Sequence, residues 1–265
     1  MGAGRLNDPA ASANPGQGFR ARILGRETIL GTFIKTPSQV VCDVLALSPL
    51  DCFCIDAEHA PFDRGDIDAC VAAFRAAGKP ALVRVPVAEP HHILNALDSG
   101  AEGVVLPHVS SAAAAIAGAR AARFGPGGRG YAGSTRAAHF TTRAMSDHLK
   151  ASNESVVVIA QIEDAEALPL LDTIAAVEGI DVLFVGRMDL TVSLGAATPN
   201  DAVVIEAVER IVDAGQRAGR AVGMFVPNVE EARRWILRGV SFFLLGSDQT
   251  FLLEGARRLS SEFRN

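Results

Sequence analysis

The sequence lacks the features that mark secreted, membrane and nucleic-acid-binding proteins. No stretch approaches the roughly 18 uninterrupted apolar residues of a membrane span, and the first two dozen residues contain no apolar run of signal-peptide length. The 25 basic residues are outnumbered by 30 acidic ones, and both are interspersed, so we expect no basic face. These absences predict a cytoplasmic protein that acts on a small molecule and has no nucleic-acid or membrane partner.

Cysteine is scarce, and its four copies fall within one short region. They lack the paired spacing of a zinc site and the density of a disulfide scaffold. The four residues are Cys42, Cys52, Cys54 and Cys70. We therefore expect reduced, mostly buried thiols with a structural role.

Short β-branched or apolar runs alternate with alanine-rich segments of helical period along most of the chain. The predicted strands are residues 28–34, 52–56, 81–85, 103–106, 156–162, 181–185, 221–226 and 241–245. Predicted helices include residues 65–77, 112–123, 165–177, 202–218, 230–238 and 249–263. Eight such units within about 250 residues favour a closed parallel barrel. We predict one domain, a (β/α)8 TIM barrel over residues 25–265, after a flexible N-terminal tail at residues 1–24.

One predicted connection, residues 124–155, is much longer than the others. Its glycine-rich start, GPGGRG at residues 125–130, follows a helix instead of a strand and lacks the lysine of a phosphate-binding loop, which argues against a nucleotide site. Loops of this length are usually functional. The alternative is a flexible loop that carries Arg129, Arg136 and Arg143 toward an acidic substrate.

Polar residues collect at the predicted carboxyl ends of a few strands, where barrel enzymes place their catalytic groups. Gln161 and Glu163 are two apart and so point to the same side of strand 5. Asp189 follows the adjacent strand and can meet Glu163. Two converging carboxylates repel unless a proton or cation lies between them, and an oxygen-only set with no Cys or His nearby suits Mg²⁺ or Mn²⁺. The alternative is that both acids cap helices or are solvated.

Two further polar residues follow strands 2 and 3. His59 comes directly after Asp56 and Glu58, and its near-neutral pKa suits a proton acceptor. Arg84, on strand 3, can stabilise a developing oxyanion. His108, after strand 4, is a weaker candidate for the same site.

Several blocks of sequence together resemble the HpcH/HpaI aldolases, the class II pyruvate aldolases. The blocks are IDAEHAPFD, LVRVP, ALDSGAEGVVLPHV, AQIEDAEAL, VLFVGRMDLTVSLG and GSD, in this order between about residues 31 and 249. The resemblance implies a (β/α)8 barrel, usually hexameric, that cleaves 4-hydroxy-2-oxo acids into pyruvate and an aldehyde. It also implies a divalent metal cofactor, Mg²⁺, Mn²⁺ or Co²⁺.

The resemblance assigns roles to individual residues. It implies metal ligands at Glu163 and Asp189, an enolate-stabilising Arg84, and an acid/base dyad of His59 with Asp98. It further implies substrate contacts from Arg84, from Gln161 near the metal-bound water, and from the segment Gly186, Arg187, Met188 and Asp189 that holds the pyruvate carboxylate. Asp56 matches the acid that supports the turn after strand 2.

The sequence departs from the family pattern at two of these blocks. The family commonly has Gly-Pro-Ala/Ser-Asp where this chain has Gly186-Arg187-Met188-Asp189, so Arg187 can reach an anionic substrate or a neighbouring subunit. The end of strand 4 reads Leu-Pro-His-Val instead of the frequent Val-Pro-Met-Val. The aldehyde side of the site is therefore expected to differ.

Several other functions are possible for a barrel with these residues. The three lysines, Lys35, Lys79 and Lys150, do not follow strand 5 or 6, which argues against a Schiff base. A citryl- or malyl-CoA lyase uses the same carboxylates and enolate chemistry and is the main alternative. A catalytically silent binding barrel would lack a ligand or the base, and a sugar-phosphate isomerase would need more than Gly246-Ser247 after strand 8.

The resemblance also predicts an assembly. The family forms hexamers, and the predicted C-terminal helix is apolar along Phe251, Leu252 and Leu253. We therefore expect a homo-oligomer, either a trimer or a hexamer.

Overall fold

The computed structural model describes residues 15–264, and its centre is a closed barrel of eight parallel strands. The strands are β1 (Ile29–Ile34), β2 (Cys52–Asp56), β3 (Ala81–Arg84), β4 (Gly103–Leu106), β5 (Val157–Ile162), β6 (Val182–Val185), β7 (Ala221–Val226) and β8 (Phe242–Ser247). They follow chain order around the barrel, and β8 pairs with β1 to close it. The predicted (β/α)8 barrel and all eight predicted strands are confirmed.

Helices surround the barrel. They are α1 (Pro15–Leu24), α2 (Gln39–Ala46), α3 (Arg64–Ala76), α4 (Pro90–Asp98), α5 (Ala112–Ala121), α6 (Met145–Ser155), α7 (Leu171–Ala175), α8 (Arg187–Ser193), α9 (Ala202–Arg217), α10 (Val229–Ile236) and α11 (Asp248–Arg264). A 3₁₀ helix, Ala165–Leu170, precedes α7. No helix within residues 15–264 combines the length and apolar character needed to cross a membrane.

Strand residues alternate between two separate cores. On β2, Cys52 and Cys54 belong to a cluster inside the barrel, whereas Phe53 and Ile55 pack in the larger cluster between strands and helices. This is the period of two that a strand imposes on its side chains. All four cysteines are free and buried, as predicted. Burial raises the pKa of the Cys54 thiol to about 12, which keeps it protonated and inert.

The N-terminal segment differs from the predicted tail. Residues 15–24 form α1, and Phe19 and Ile23 are buried in the interior cluster beside Ile29 at the start of β1. The helix thus covers the end of the barrel at which the strands begin. Residues 1–14, the rest of the predicted tail, lie outside the described residues.

The long connection after α5 also differs from the prediction. Its second part is helical, as α6, and two of its arginines are held by the chain's own carboxylates. Arg129 is buried and pairs with Asp98, and Arg136 lies 2.6 Å from Asp68 on α3. A buried, paired arginine is not free to reach a substrate at the mouth, so within one chain Arg129 does not take the role predicted for it, whereas Arg136 is partly exposed and the role of Arg143 stays a prediction.

Candidate active site

Every second residue of a strand points into the barrel, and this alternation continues past the strand ends. It places polar side chains at the barrel mouth. Asp56 follows Cys54 on the inward side of β2, and Arg84 is its register partner on β3. Arg84 Nη2 lies 2.8 Å and Arg84 Nε 3.0 Å from Asp56 Oδ1. Both side chains are buried. The pair therefore places two fixed, opposite charges at the base of the mouth.

Asp56 organises several groups at once. Lys35 Nζ lies 3.1 Å from its Oδ2, and the backbone N–H of His59 donates to its Oδ1 over 3.2 Å. Burial pushes the pKa of the Asp56 carboxyl upward, but Arg84, the His59 amide and Lys35 together outweigh burial and lower the pKa. Asp56 therefore acts as a permanent anion that orients its cationic neighbours, which agrees with its predicted role at the turn after β2.

Glu58, two residues further along, was not among the predicted site residues. Its side chain is 8% exposed, and Oε2 lies 3.2 Å from Arg84 Nη1 and 3.8 Å from His59 Nε2. Burial raises the pKa of the Glu58 carboxyl, and the charge of Arg84 opposes that rise. The same two-residue spacing from Asp56 that brings Glu58 inward could have identified it from the sequence. Glu58 is the carboxylate beside the half-exposed His59 ring.

Asp98 lies elsewhere. It is the last residue of α4, at the end of the barrel where the strands begin, and it pairs with Arg129. Helices of a (β/α)8 barrel run antiparallel to the strands, so the end of α4 is remote from the mouth that His59 occupies. Within one chain the structure does not form the predicted dyad of His59 with Asp98.

Gln161 and Glu163 meet as the sequence predicts. Both are 1% exposed, and Gln161 Nε2 donates to Glu163 Oε2. Gly186, after the neighbouring strand β6, leaves room for them: a Cβ there would lie 2.5 Å from Glu163 Oε2. Asp189 is in the first turn of α8 and lines the same cavity as Gln161 and Gly186. The two predicted metal ligands thus approach the mouth from adjacent strands.

The expectation that no histidine lies near the predicted metal ligands is wrong. The backbone N–H of His108 donates to Glu163 Oε1 over 2.8 Å, and its ring Nδ1 lies 3.6 Å from the same oxygen. Burial lowers the pKa of His108, but Glu163, Asp164 and Glu58 outweigh burial and raise it. The alternation of β4 would point His108 away from the interior. Its left-handed backbone, with φ of 53°, redirects the ring to the mouth, which strand periodicity could not reveal.

A cavity of about 620 Å³ opens beside these groups at the mouth. Every predicted site residue except Glu163 and Asp98 lines this cavity. These lining residues are His59, Arg84, Gln161, Gly186, Met188 and Asp189. Lys35 also lines the cavity, although its position after strand 1 argued against a Schiff-base role. Lys35 follows β1 on the inward side, two residues beyond Phe33. The remaining wall is largely apolar, with Phe33, Phe184, Phe225, Pro199 and Pro227.

Arg187, where the family commonly has proline, lines the cavity from the start of α8. It is 9% exposed and forms an ion pair with Glu231 on α10. The pair ties the first turn of α8, which carries Met188 and Asp189, to the neighbouring helix. Because Glu231 neutralises its guanidinium, Arg187 serves to position the cavity wall more than to bind an anion.

Comparison with known proteins agrees with this geometry. The family model for the HpcH/HpaI aldolase/citrate lyase family matches residues 30–254. A hydroxypyruvate/pyruvate aldolase of Paraburkholderia phytofirmans is 34% identical, with coverage of 93% of this chain and 97% of that protein. A 5-keto-4-deoxy-D-glucarate aldolase of an Enterobacter species is 30% identical, with coverage of 93% and 96%.

The solved structures give the same answer for the fold. A crystal structure of an HpcH/HpaI aldolase/citrate lyase family protein from Burkholderia cenocepacia superposes with a TM-score of 0.89 at 35% identity, covering 94% of this chain and all of that one. A citrate synthase matches with a TM-score of 0.80 at 28% identity, covering 92% and 95%. The chain belongs to the HpcH/HpaI aldolase/citrate lyase family and is a carbon-carbon lyase of the aldehyde-lyase type.

Proposed function

We propose that this enzyme catalyses the reversible cleavage of a 4-hydroxy-2-oxo acid to pyruvate and an aldehyde, with a divalent metal ion as cofactor. The observation that supports it is the meeting of Glu163, Gln161, Arg84 and His59 at one barrel mouth. These groups supply a cation site, an anion stabiliser and a proton acceptor. Cleavage next to a 2-oxo acid needs those three functions.

The residues at the mouth fit a divalent ion. Glu163 and Asp189 would hold it, as the family resemblance implies, and Mg²⁺, Mn²⁺ and Co²⁺ are the candidates. Gln161 Oε1 is buried without a hydrogen-bond partner in the described structure, so a water or substrate beside the ion would satisfy it. When bound, the ion supplies Lewis acidity to the 2-oxo carbonyl.

The protein side chains then perform the remaining steps. Arg84, fixed by Asp56, stabilises the negative charge that develops on the enolate oxygen as the carbon-carbon bond breaks. The segment 186–189 begins α8 with amide groups that lack intrahelical acceptors, which suits the substrate carboxylate. His59 takes the proton of the 4-hydroxyl group as the C3–C4 bond breaks and releases the aldehyde, and the proton is then returned to C3 of the enolate to give pyruvate.

Glu58 replaces Asp98 as the carboxylate that assists His59 within one chain. It lies 3.8 Å from the His59 ring, whereas Asp98 is occupied by Arg129. A carboxylate next to the ring stabilises the imidazolium that forms when the proton is taken up. Our proposal therefore assigns Glu58 as a positioning residue for the base.

A substrate screen tests the proposed function. Purified protein is incubated with pyruvate and a panel of aldehydes in Mg²⁺, Mn²⁺ or Co²⁺, and products are identified by mass spectrometry. Citryl- and malyl-CoA are included, because the alternative thioester lyase would cleave them. Aldol products that require pyruvate support the proposal. Cleavage of the thioesters without any aldol product would contradict it.

We also propose that the enzyme is a homo-oligomer, a trimer or a hexamer. The C-terminal helix α11 exposes large apolar side chains: Leu252, Leu253, Leu259 and Phe263 are 65%, 51%, 63% and 92% exposed. Apolar surface of this kind on a terminal helix is typical of a subunit contact.

A further inference from the structure

The mouth contains a group of potential metal ligands that includes a nitrogen donor. Glu58, His108 and Glu163 each offer an atom, and these three atoms lie within 4.8 Å of one another. We infer that His108 is, through Nδ1, a nitrogen ligand of the ion held by Glu163, and that it shifts the preference of the site from Mg²⁺ toward Co²⁺ and Mn²⁺. This inference rests on the proposed metal site and names its coordination.

The position of the ring supports direct ligation. His108 Nδ1 lies 3.6 Å from Glu163 Oε1. Two ligands bonded to one ion at about 2.1 Å are separated by roughly 3.0 to 3.4 Å, depending on geometry, so only a small closure is needed. Nδ1 also lies 3.2 Å from both oxygens of the Asp164 carboxylate, to which it donates, so an ion at this point would take the place of the Nδ1 proton. A cation there would relieve the crowding of carboxylates.

The opposite ring nitrogen faces a carboxylate: His108 Nε2 lies 3.6 Å from Glu58 Oε1. Ligating histidines commonly donate their second N–H to a carboxylate, which fixes the tautomer and strengthens the ligand. Ligation through Nδ1 therefore requires the N–H to move from Nδ1, where it faces Asp164, to Nε2, where Glu58 is the nearby acceptor.

Independent of the carboxylates, one buried polar atom beside the group lacks a hydrogen-bond partner in the described structure. Gln161 Oε1 belongs to a side chain that is 1% exposed and whose amide nitrogen contacts Glu163. Buried polar atoms are rarely left without partners, so the site is built for an ion and its water.

The chemical consequence concerns metal choice. Mg²⁺ prefers carboxylate, carbonyl and water oxygens, whereas an imidazole nitrogen favours transition metals, more strongly for Co²⁺ than for Mn²⁺. Replacing a frequent family methionine by His108 thus changes the donor set of this chain. We expect Co²⁺ and Mn²⁺ to bind more tightly here than Mg²⁺.

Metal binding without substrate tests the inference. Protein loaded with Mn²⁺ is examined by electron spin echo spectroscopy, which detects a nitrogen bonded to the ion, and Co²⁺ and Mg²⁺ affinities are measured by equilibrium dialysis. We expect a nitrogen signal in the unmodified protein that is lost in His108→Met and His108→Asn. The ratio of Co²⁺ to Mg²⁺ affinity should fall about tenfold or more in both variants. Asparagine tolerates the left-handed backbone at this position, so it guards against a folding defect.

His59→Ala is the matched control, because it removes the other histidine near Glu58 and should keep the nitrogen signal. Absence of the signal from Mn²⁺-loaded unmodified protein, or its persistence in both His108 variants, would overturn the inference. These outcomes are independent of the proposed function, which is judged by product formation alone. A protein that binds metal through His108 and forms no aldol product would contradict only the proposed function.

Discussion

Arg84 and Asp56 are register partners on neighbouring strands, and two nitrogens of the guanidinium contact a single carboxylate oxygen, at 2.8 and 3.0 Å. The second carboxylate oxygen is left for Lys35. The guanidinium also lies over the Phe33 ring, 4.8 Å from its centroid. Arg84 is consequently fixed in position and direction before any substrate arrives, which is the preorganisation that charge stabilisation requires.

The first prediction separates Arg84 from His59. Arg84→Ala should depress both aldol cleavage and oxaloacetate decarboxylation, because both pass through an enolate. His59→Ala should lower cleavage by roughly 10² or more, the scale of a lost general base, and leave decarboxylation largely intact, since that reaction has no hydroxyl proton to remove. Both activities are measured in parallel, with metal content and thermal unfolding as controls. Equal loss of both activities in metal-loaded His59→Ala would assign His59 to the enolate site.

The second prediction concerns the cofactor and Lys35. Chelation with EDTA should abolish cleavage, and Mn²⁺, Mg²⁺ or Co²⁺ should restore it. Lys35 lines the cavity, yet its Nζ is engaged by Asp56, so it should form no imine. Borohydride added with pyruvate should leave the mass of the protein unchanged. An adduct on Lys35, or full turnover in chelator, would replace the metal mechanism by a Schiff base.

The third prediction measures the Asp56 ion pairs. Asp56→Asn removes one of the two carboxylates that contact buried Arg84, the other being Glu58, and should cost about 3 kcal/mol at pH 7, the lower end of the range for a broken buried pair. Because the folded pKa of Asp56 is lowered, its contribution is present above the unfolded value of about 3.9 and is lost as pH falls through the folded value. The difference from the unmodified protein should therefore shrink in acid. Urea denaturation at pH 7 and at pH 3.5 gives both numbers.

Asp51→Asn is the matched control for this measurement. Asp51 pairs with Arg22 at 2.8 Å, but both side chains are partly exposed. Such pairs are worth at most about 1 kcal/mol. If the two variants lose similar stability, the buried position of Asp56 has no special energetic role.

The fourth prediction uses a carboxyl remote from the mouth. Glu102 precedes β4, and burial raises the pKa of its carboxyl to about 7, above its ordinary value of 4.5. A raised folded pKa gives stability that is present below the unfolded value and lost as pH rises through about 7. The loss should reach roughly 3 kcal/mol, since one pKa unit is about 1.4 kcal/mol.

Glu102→Gln should lack this dependence, because glutamine still accepts from the Ala81 amide but does not ionise. Denaturation midpoints of both proteins are compared between pH 5 and pH 8.5. At the alkaline end of this pH range, the variant should have the higher denaturation midpoint of the two proteins. Parallel curves throughout the range would show that Glu102 is not the titrating group.

The fifth prediction concerns assembly. Light scattering should give a mass of three or six times the 27.7 kDa of one chain. The double variant Leu253→Glu with Phe263→Glu should lower that mass, because it places charge on the exposed apolar face of α11. A mass near that of one chain for the unmodified protein would contradict the proposed oligomer.

Sequence reasoning predicted what depends on local periodicity. Strand alternation placed Gln161 and Glu163 on one side, and strand order placed Asp189 on the wall of the cavity that Gln161 also lines. It could not place His108, since a left-handed residue after Pro107 reverses the direction that alternation predicts. The dyad of His59 with Asp98 rested on the family resemblance and not on periodicity, and within one chain it does not form, because Asp98 ends α4 at the far end of the barrel.

The closure of the barrel floor by α1 has a kinetic consequence. Phe19 and Ile23 fill the end where the strands begin, so within the described residues the substrate cavity is entered at the mouth. Under the proposed function, both products pass through this mouth, and the 2-oxo acid is the one held by the ion. We therefore expect ordered turnover: the aldehyde leaves before the 2-oxo acid, and in the synthetic direction the 2-oxo acid binds first.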